Sequence, residues 1–99
     1  MVKHLTKEDF NEEIKSGTVL VDFYADWCGP CRMVGPIIEE VSNELKDVKV
    51  LKVNVDERED IAKAYGIMSI PTIILFKDGV IDKKQIGFVP KEVLMRWFD

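Results

Sequence analysis

One histidine and two cysteines are all that the 99-residue sequence offers as strong transition-metal ligands. That is too few to close a Cys₄ or Cys₂His₂ zinc site within one chain. The same shortage excludes a small disulfide-stapled scaffold, which spreads several cysteines along its length. Basic charge is also short: 14 Lys and Arg stand against 18 Asp and Glu, for a net charge of -4. Nucleic-acid binders carry a basic excess or stripe, and here Lys83-Lys84 is the only adjacent basic pair. No apolar run approaches the ~18 residues needed to span a bilayer. Met1 to Phe10 is mixed and charged, without the apolar core of a secretory leader. These absences predict a cytoplasmic protein that binds neither nucleic acid nor membrane.

What is present is enough for one core. Apolar residues make up 46% of the chain, and a chain of this size can bury roughly two thirds of its surface on folding. No repeat or linker interrupts it, so residues 1–99 are expected to form a single domain.

Hydrophobic period changes along the chain in an alternating way. Val2 to Leu5 reads as a short strand, and Thr6-Lys7-Glu8-Asp9 as the capping sequence of a helix with Phe10 and Ile14 on one face. Val19 to Ala25 is almost continuously apolar, as in a strand covered on both sides. Val34, Ile37, Ile38, Val41 and Leu45 follow the helical period after Cys31. Pro36, inside that pattern, removes one intrahelical hydrogen bond and predicts a kink. Val48 to Val55 is the next strand, and Asp56 with Glu59 reads as a capping box ahead of Ile61, Ala62 and Tyr65. Thr72 to Phe76 and Val80 to Phe88 flank Lys77-Asp78-Gly79, a strong hairpin signal. Pro90 opens a last helix bearing Val93, Leu94, Trp97 and Phe98. Strands separated by helices pair in parallel, whereas the closing hairpin is antiparallel. The expected class is α/β with a mixed sheet.

The two cysteines sit where the buried strand hands over to the long helix. Residues three apart at a helix start share nearly one face, which brings their Cα atoms to about 5 Å, within disulfide range. Gly29 allows a tight approach, and Pro30 suits a first helical position because its missing N–H would be unpaired there anyway. Unpaired N–H groups and the positive end of the helix dipole stabilise an anion. Cys28, the more N-terminal, gains most and is expected to have the lower pKa. The thiolate is the species that attacks a disulfide. Cys28 is thus the candidate nucleophile, and Cys31, expected to be more buried, the resolving thiol. A purely structural disulfide would close a tiny loop and constrain the unfolded chain little. Cysteine-protease chemistry lacks a base, because His4 is remote in sequence and a second cysteine would go unexplained.

Val21-Asp22-Phe23-Tyr24-Ala25-Asp26-Trp27-Cys28-Gly29-Pro30-Cys31-Arg32-Met33 resembles the active-site signature of the thioredoxin family. The likeness continues through Pro36, Val53-Asn54-Val55-Asp56, Ile70-Pro71-Thr72, Phe76-Lys77-Asp78-Gly79 and Gly87. It implies the thioredoxin fold, a central mixed β-sheet flanked by four α-helices, and a protein-disulfide reductase. No cofactor is implied beyond the Cys28–Cys31 pair. The implied partners are disulfide-containing proteins and a flavin-containing, NADPH-dependent thioredoxin reductase, or a related reductase as in some organisms, with the chain itself a monomer. Gly-Pro between the cysteines is the thioredoxin dipeptide; Gly-His is typical of disulfide isomerase domains and Pro-Tyr of glutaredoxins. Three positions depart from the family pattern: Tyr24 where many members carry tryptophan, Arg32 where lysine is commoner, and Gly35 where alanine is frequent.

The resemblance also implies roles for other residues. Asp22 becomes a buried acid behind the cysteines that takes the proton of Cys31; an Asp at a strand end, satisfied by local N–H groups, is the alternative. Desolvation would raise its pKa. Lys52 would reach toward Asp22 and temper that pKa, although a solvated lysine on an outer strand fits the sequence almost as well. Pro71 would be cis, exposing the Ile70 backbone to pair with a substrate strand; an ordinary turn proline is the alternative. Trp27, Gly29, Pro30, Met68, Ile70, Gly87 and Phe88 would form an apolar collar for substrate, with core packing fitting Met68 and Phe88 almost as well. Two rival functions remain: an oxidase or isomerase on the same fold, and a non-catalytic binding module, which both retained cysteines disfavour.

Overall fold

Val19, Val21 and Phe23 point to one side of the central strand while Leu20 and Asp22 point to the other, because side chains alternate along a strand. All five are buried, so the strand is covered on both faces. The structure is a computed structural model and describes residues 2–99.

The elements are β1 (Val2–His4), α1 (Phe10–Ile14), β2 (Thr18–Tyr24), α2 (Gly29–Glu44), β3 (Lys49–Asn54), α3 (Glu59–Ala64), β4 (Thr72–Lys77), β5 (Val80–Ile86), α4 (Lys91–Met95) and a 3₁₀ turn, Arg96–Phe98. The sheet order is β1-β3-β2-β4-β5. β1, β3 and β2 run parallel, and β4 joins β2 and β5 antiparallel. The expected mixed sheet with four flanking helices is therefore the observed one.

Each face has its own core. Phe10 and Ile14 of α1 and Ile61 of α3 pack with Val19, Val21, Phe23, Leu51 and Phe76. The Phe10 ring meets Tyr65 and Phe76 edge-on, with centroids 5.2 and 5.8 Å away, a favoured aromatic geometry. On the other face Val34, Ile38 and Val41 of α2 and Leu94 of α4 cover Leu20, Val50, Ile73 and Leu75. Lys91 of α4 pairs with Glu40 and Glu44 of α2 at the rim of this layer. Helix α2 is thus held against the sheet by its apolar stripe.

Two caps differ from the sequence reading. Helix α1 is capped not by Thr6 but by Asp9, whose side chain accepts the Asn11 N–H. Thr6 is instead engaged by Glu8, which accepts both its N–H and its hydroxyl. Helix α3 begins after Arg58, not at Asp56. The Arg58 guanidinium donates to the carbonyls of Thr6 and Glu8, tying α3 to the β1–α1 loop. Helix α2 runs through Pro36 as one element. The hairpin turns at Asp78 and Gly79, with φ of 50° and 84°, the left-handed backbone of the tight turns that Asp-Gly favours.

Candidate functional site: a cysteine pair at a helix N-terminus

Strand β2 ends at Tyr24, and the chain needs only Ala25-Asp26-Trp27 to reach the start of α2. Cys28 is the N-cap, in extended conformation, and its Sγ accepts the Cys31 N–H at 3.2 Å. Pro30 falls in the first turn, where no N–H is missed. Cys28 and Cys31 are joined in a disulfide with their Cα atoms 5.3 Å apart. The Arg32 guanidinium donates to the Asp26 carbonyl at 2.9 Å and holds the preceding loop.

The two cysteines do not differ in burial. Cys28 is 4% and Cys31 5% exposed, against the expectation that Cys31 lies deeper. In this oxidised form the bond ties both sulfurs into one small cluster with Ala25, flanked by Tyr24, Val55 and Ile70.

Ile70-Pro71 is a cis peptide, and Cys28 Sγ lies 3.7 Å from the Ile70 carbonyl oxygen. The Thr72 hydroxyl donates to Ser69 and the Gly87 N–H to Pro71, which fixes this loop beside the sulfur. Gly87 itself has φ of 92°, a conformation that side chains disfavour. Trp27 is 69% and Met68 95% exposed, and Phe88 is also exposed. Core packing is therefore not the role of Met68 or Phe88.

Asp22 stands in mid-strand, in register with Lys52 of β3 and Ile73 of β4. It is buried, and neither carboxylate oxygen has a hydrogen-bond partner. This removes the strand-end alternative: no local N–H satisfies it. Desolvation pushes its pKa up to about 6, with the Lys52 charge pulling the other way. Lys52 makes no ion pair with it. The ammonium lies instead over the Tyr24 ring, 4.3 Å from the centroid. Tyr24, Cys31, Arg32, Gly35 and Lys52 line a cavity of about 400 Å³ on this side of the disulfide.

Asp56, read from the sequence as a helix cap, accepts the Trp27 indole N–H at 2.9 Å. The Asn54 side chain accepts the Asp56 N–H and sets this orientation. The signal was available in principle: parallel β2 and β3 end at the same edge, so the residues after each strand meet there. Among the described residues no group of three His, Cys, Asp or Glu could hold a metal ion. Nor is any helix long and apolar enough to cross a membrane.

A dithiol pair at the start of a helix, on a mixed five-stranded sheet and beside a cis-proline loop, defines a thiol–disulfide oxidoreductase whose redox group is its own cysteine pair. Comparison with known proteins narrows the class. The family model for thioredoxin matches residues 1–99. The chain is 49% identical over 102 aligned positions to thioredoxin of Rickettsia felis, covering 100% of this chain and 97% of that one. It is 47% identical over 90 positions to thioredoxin of Bacillus subtilis, covering 90% and 86% of the two chains. A solved thioredoxin variant from Halobacterium salinarum superposes with a TM-score of 0.88 at 34% identity, over 97% of this chain and 86% of that one. The chain belongs to the thioredoxin family.

Proposed function

We propose that this chain is a single-domain, monomeric, cytoplasmic reductant of protein disulfides, with Cys28 attacking and Cys31 resolving. The observation that carries the assignment is the N-cap position of Cys28, whose sulfur accepts a backbone N–H at the start of a 16-residue helix. That arrangement favours the thiolate over the thiol.

In the first step the Cys28 thiolate attacks one sulfur of a substrate disulfide. A mixed disulfide forms, and the other substrate sulfur leaves as a thiolate. Cys31 then gives its proton to the Asp22 carboxylate by way of a water and attacks Cys28 Sγ. The substrate's second sulfur leaves, and the Cys28–Cys31 disulfide remains. The substrate has gained two electrons and the protein has lost them. A flavin-containing, NADPH-dependent thioredoxin reductase is the partner that returns them. Lys52 moderates the proton affinity of Asp22, consistent with its effect on that pKa.

Substrate docking fits the surroundings of Cys28. The Ile70 carbonyl beside the sulfur offers backbone pairing to an extended peptide. In this reading Trp27, Gly29, Pro30, Pro71 and Gly87 form the collar, with Met68 and Phe88, both exposed, as further apolar contacts. Such a patch grips flexible segments without strict sequence choice.

Reduction of insulin disulfides with dithiothreitol tests the division of labour. Cys28→Ser should be inactive, and Cys31→Ser should accumulate a mixed disulfide with substrate. Equal residual turnover in both variants would overturn the roles. Titration against a glutathione couple separates reductant from oxidase, which would equilibrate at a distinctly more oxidising potential.

A further inference from the structure

Tyr24, Arg32 and Gly35 are the three departures from the family's active-site pattern, and all three line the same cavity. One of them, Tyr24, touches an ammonium that Gly35 borders. The Lys52 Nζ lies 4.3 Å from the centre of the Tyr24 ring. A methyl added at Gly35 would meet that same nitrogen at 3.8 Å, so the bare glycine leaves the space beside it open to the cavity. Lys52 and Asp22 are register partners on adjacent strands, and Tyr24 follows Asp22 by two on the same face. Yet the carboxylate has no hydrogen-bond partner. The ammonium has been taken up by a ring face rather than by the nearest buried acid. A ring face attracts a cation while letting it keep part of its hydration. A direct ion pair would carry the ammonium into the buried site of Asp22 and strip more of its hydration.

We propose that Tyr24 is a positioning residue: its ring seats the Lys52 ammonium near Asp22 without letting the two pair. This rests on the proton-accepting role of Asp22 proposed above. The remaining charged or titratable groups around the pair are few. Asp26, Cys31, Arg32 and Glu39 come from the loop and α2 on the cavity wall. Glu57 faces Tyr24, and His4 lies beside Lys52 on β1. β4 presents only apolar Ile73 opposite Asp22.

The test is titration of the Asp22 carboxyl by ¹³C NMR in the oxidised protein, which does not depend on turnover. Tyr24→Phe keeps the ring and should leave the midpoint unchanged. Tyr24→Leu should move it upward by about half a pH unit or more, because the freed ammonium swings out through the cavity. Lys52→Met should raise it as well, and adding Tyr24→Leu to that variant should produce no further rise. If the ring merely excluded water, its loss would hydrate Asp22 and lower the midpoint. A lowered or unmoved midpoint in Tyr24→Leu, or a further rise in the double variant, overturns the proposal. The pH profile of insulin reduction is the second readout. If the carboxyl midpoint moves and the rate profile follows it, both proposals stand. If the midpoint moves and the rate profile does not, the seating stands and the proton-accepting role of Asp22 falls.

Discussion

The indole N–H of Trp27 donates to Asp56 Oδ2 at 2.9 Å, joining the segment after β2 to the segment after β3. Trp27 is the large exposed ring next to Cys28, and this bond fixes its orientation. Asp56→Ala should leave the fold intact and free the ring. Because the bond is at the surface, its loss costs about 1 kcal/mol or less. We therefore expect KM for insulin to rise about threefold with little change in kcat. Asp56→Asn keeps an acceptor and should stay near the parent value. A small aromatic disulfide, which needs less of the collar, should be reduced at nearly the parent rate by both variants. Equal loss on both substrates would move the effect from docking to the sulfur chemistry.

The unpartnered carboxylate of Asp22 makes stability depend on pH. Its pKa in the folded chain is about 6, against an ordinary value of 3.8. Below the lower value the acid is neutral in both states, and the fold pays no charge penalty. As pH rises through that window the unfolded chain releases the proton while the folded chain retains it, so stability falls. Above about pH 6 the loss is complete. The two values correspond to a penalty of order 3 kcal/mol. Asp22→Asn should therefore be more stable than the parent at pH 7.5, with an advantage that shrinks toward pH 4. Urea unfolding at a series of pH values measures it. A constant difference across the series would mean that the carboxylate is not buried as a charge.

Much of this architecture is readable from periodicity. Val19 to Tyr24 is apolar at every residue but one, so only a strand covered on both faces could house it. The single exception, Asp22, was conspicuous for the same reason. The cysteine pair was legible because a three-residue spacing at a helix start puts both side chains on nearly one face, and the Trp-Cys-Gly-Pro-Cys resemblance made that reading specific. Partners formed across the sheet were not legible. Asp56 reads as a local cap and Arg58 carries no signal in the sequence, yet each is used at long range, by Trp27 and by the Thr6 and Glu8 carbonyls. Lys52 was expected to approach Asp22, and only the fold reveals the Tyr24 ring beneath its ammonium. The equal burial of the two cysteines could not have been read either, because it is a property of the folded surroundings and not of their spacing.

Arg58 is the strongest candidate for a long-range structural pin. Its guanidinium reaches two carbonyls across the β1–α1 loop and also pairs with Asp60 at 3.1 Å. The side chain is only 15% exposed, so little water replaces those bonds. Arg58→Ala leaves two carbonyls without their charged donor. Hydrogen bonds to charged groups contribute roughly 1.5–3 kcal/mol, and we expect a loss of about 2 kcal/mol in urea unfolding. Arg58→Lys should recover only part of it, because an ammonium cannot reproduce the planar fork. Insulin reduction should be unaffected well below the unfolding transition. Full recovery by lysine would mean that charge alone, and not the fork, holds the loop.

The reactivity of Cys28 provides the most direct check on the redox assignment. Its sulfur already accepts the Cys31 backbone N–H in the oxidised protein. On reduction the same donor and the same helix end remain available to a thiolate. An ordinary thiol ionises near pH 8.5, and the cap should bring Cys28 at least about one unit lower. Iodoacetamide alkylation of the reduced protein across pH 5 to 9 reads this midpoint. Cys31→Ser should leave it low, because the donor is backbone and survives the substitution. Asp22→Asn should lower it further, since the charge of a deprotonated Asp22 opposes a second anion behind the pair. The two variants divide the causes: one tests the helix cap, the other the buried carboxylate. A midpoint near 8.5 in the parent and in both variants would leave Cys28 an ordinary thiol, and neither the cap nor Asp22 would then have a part in the attack.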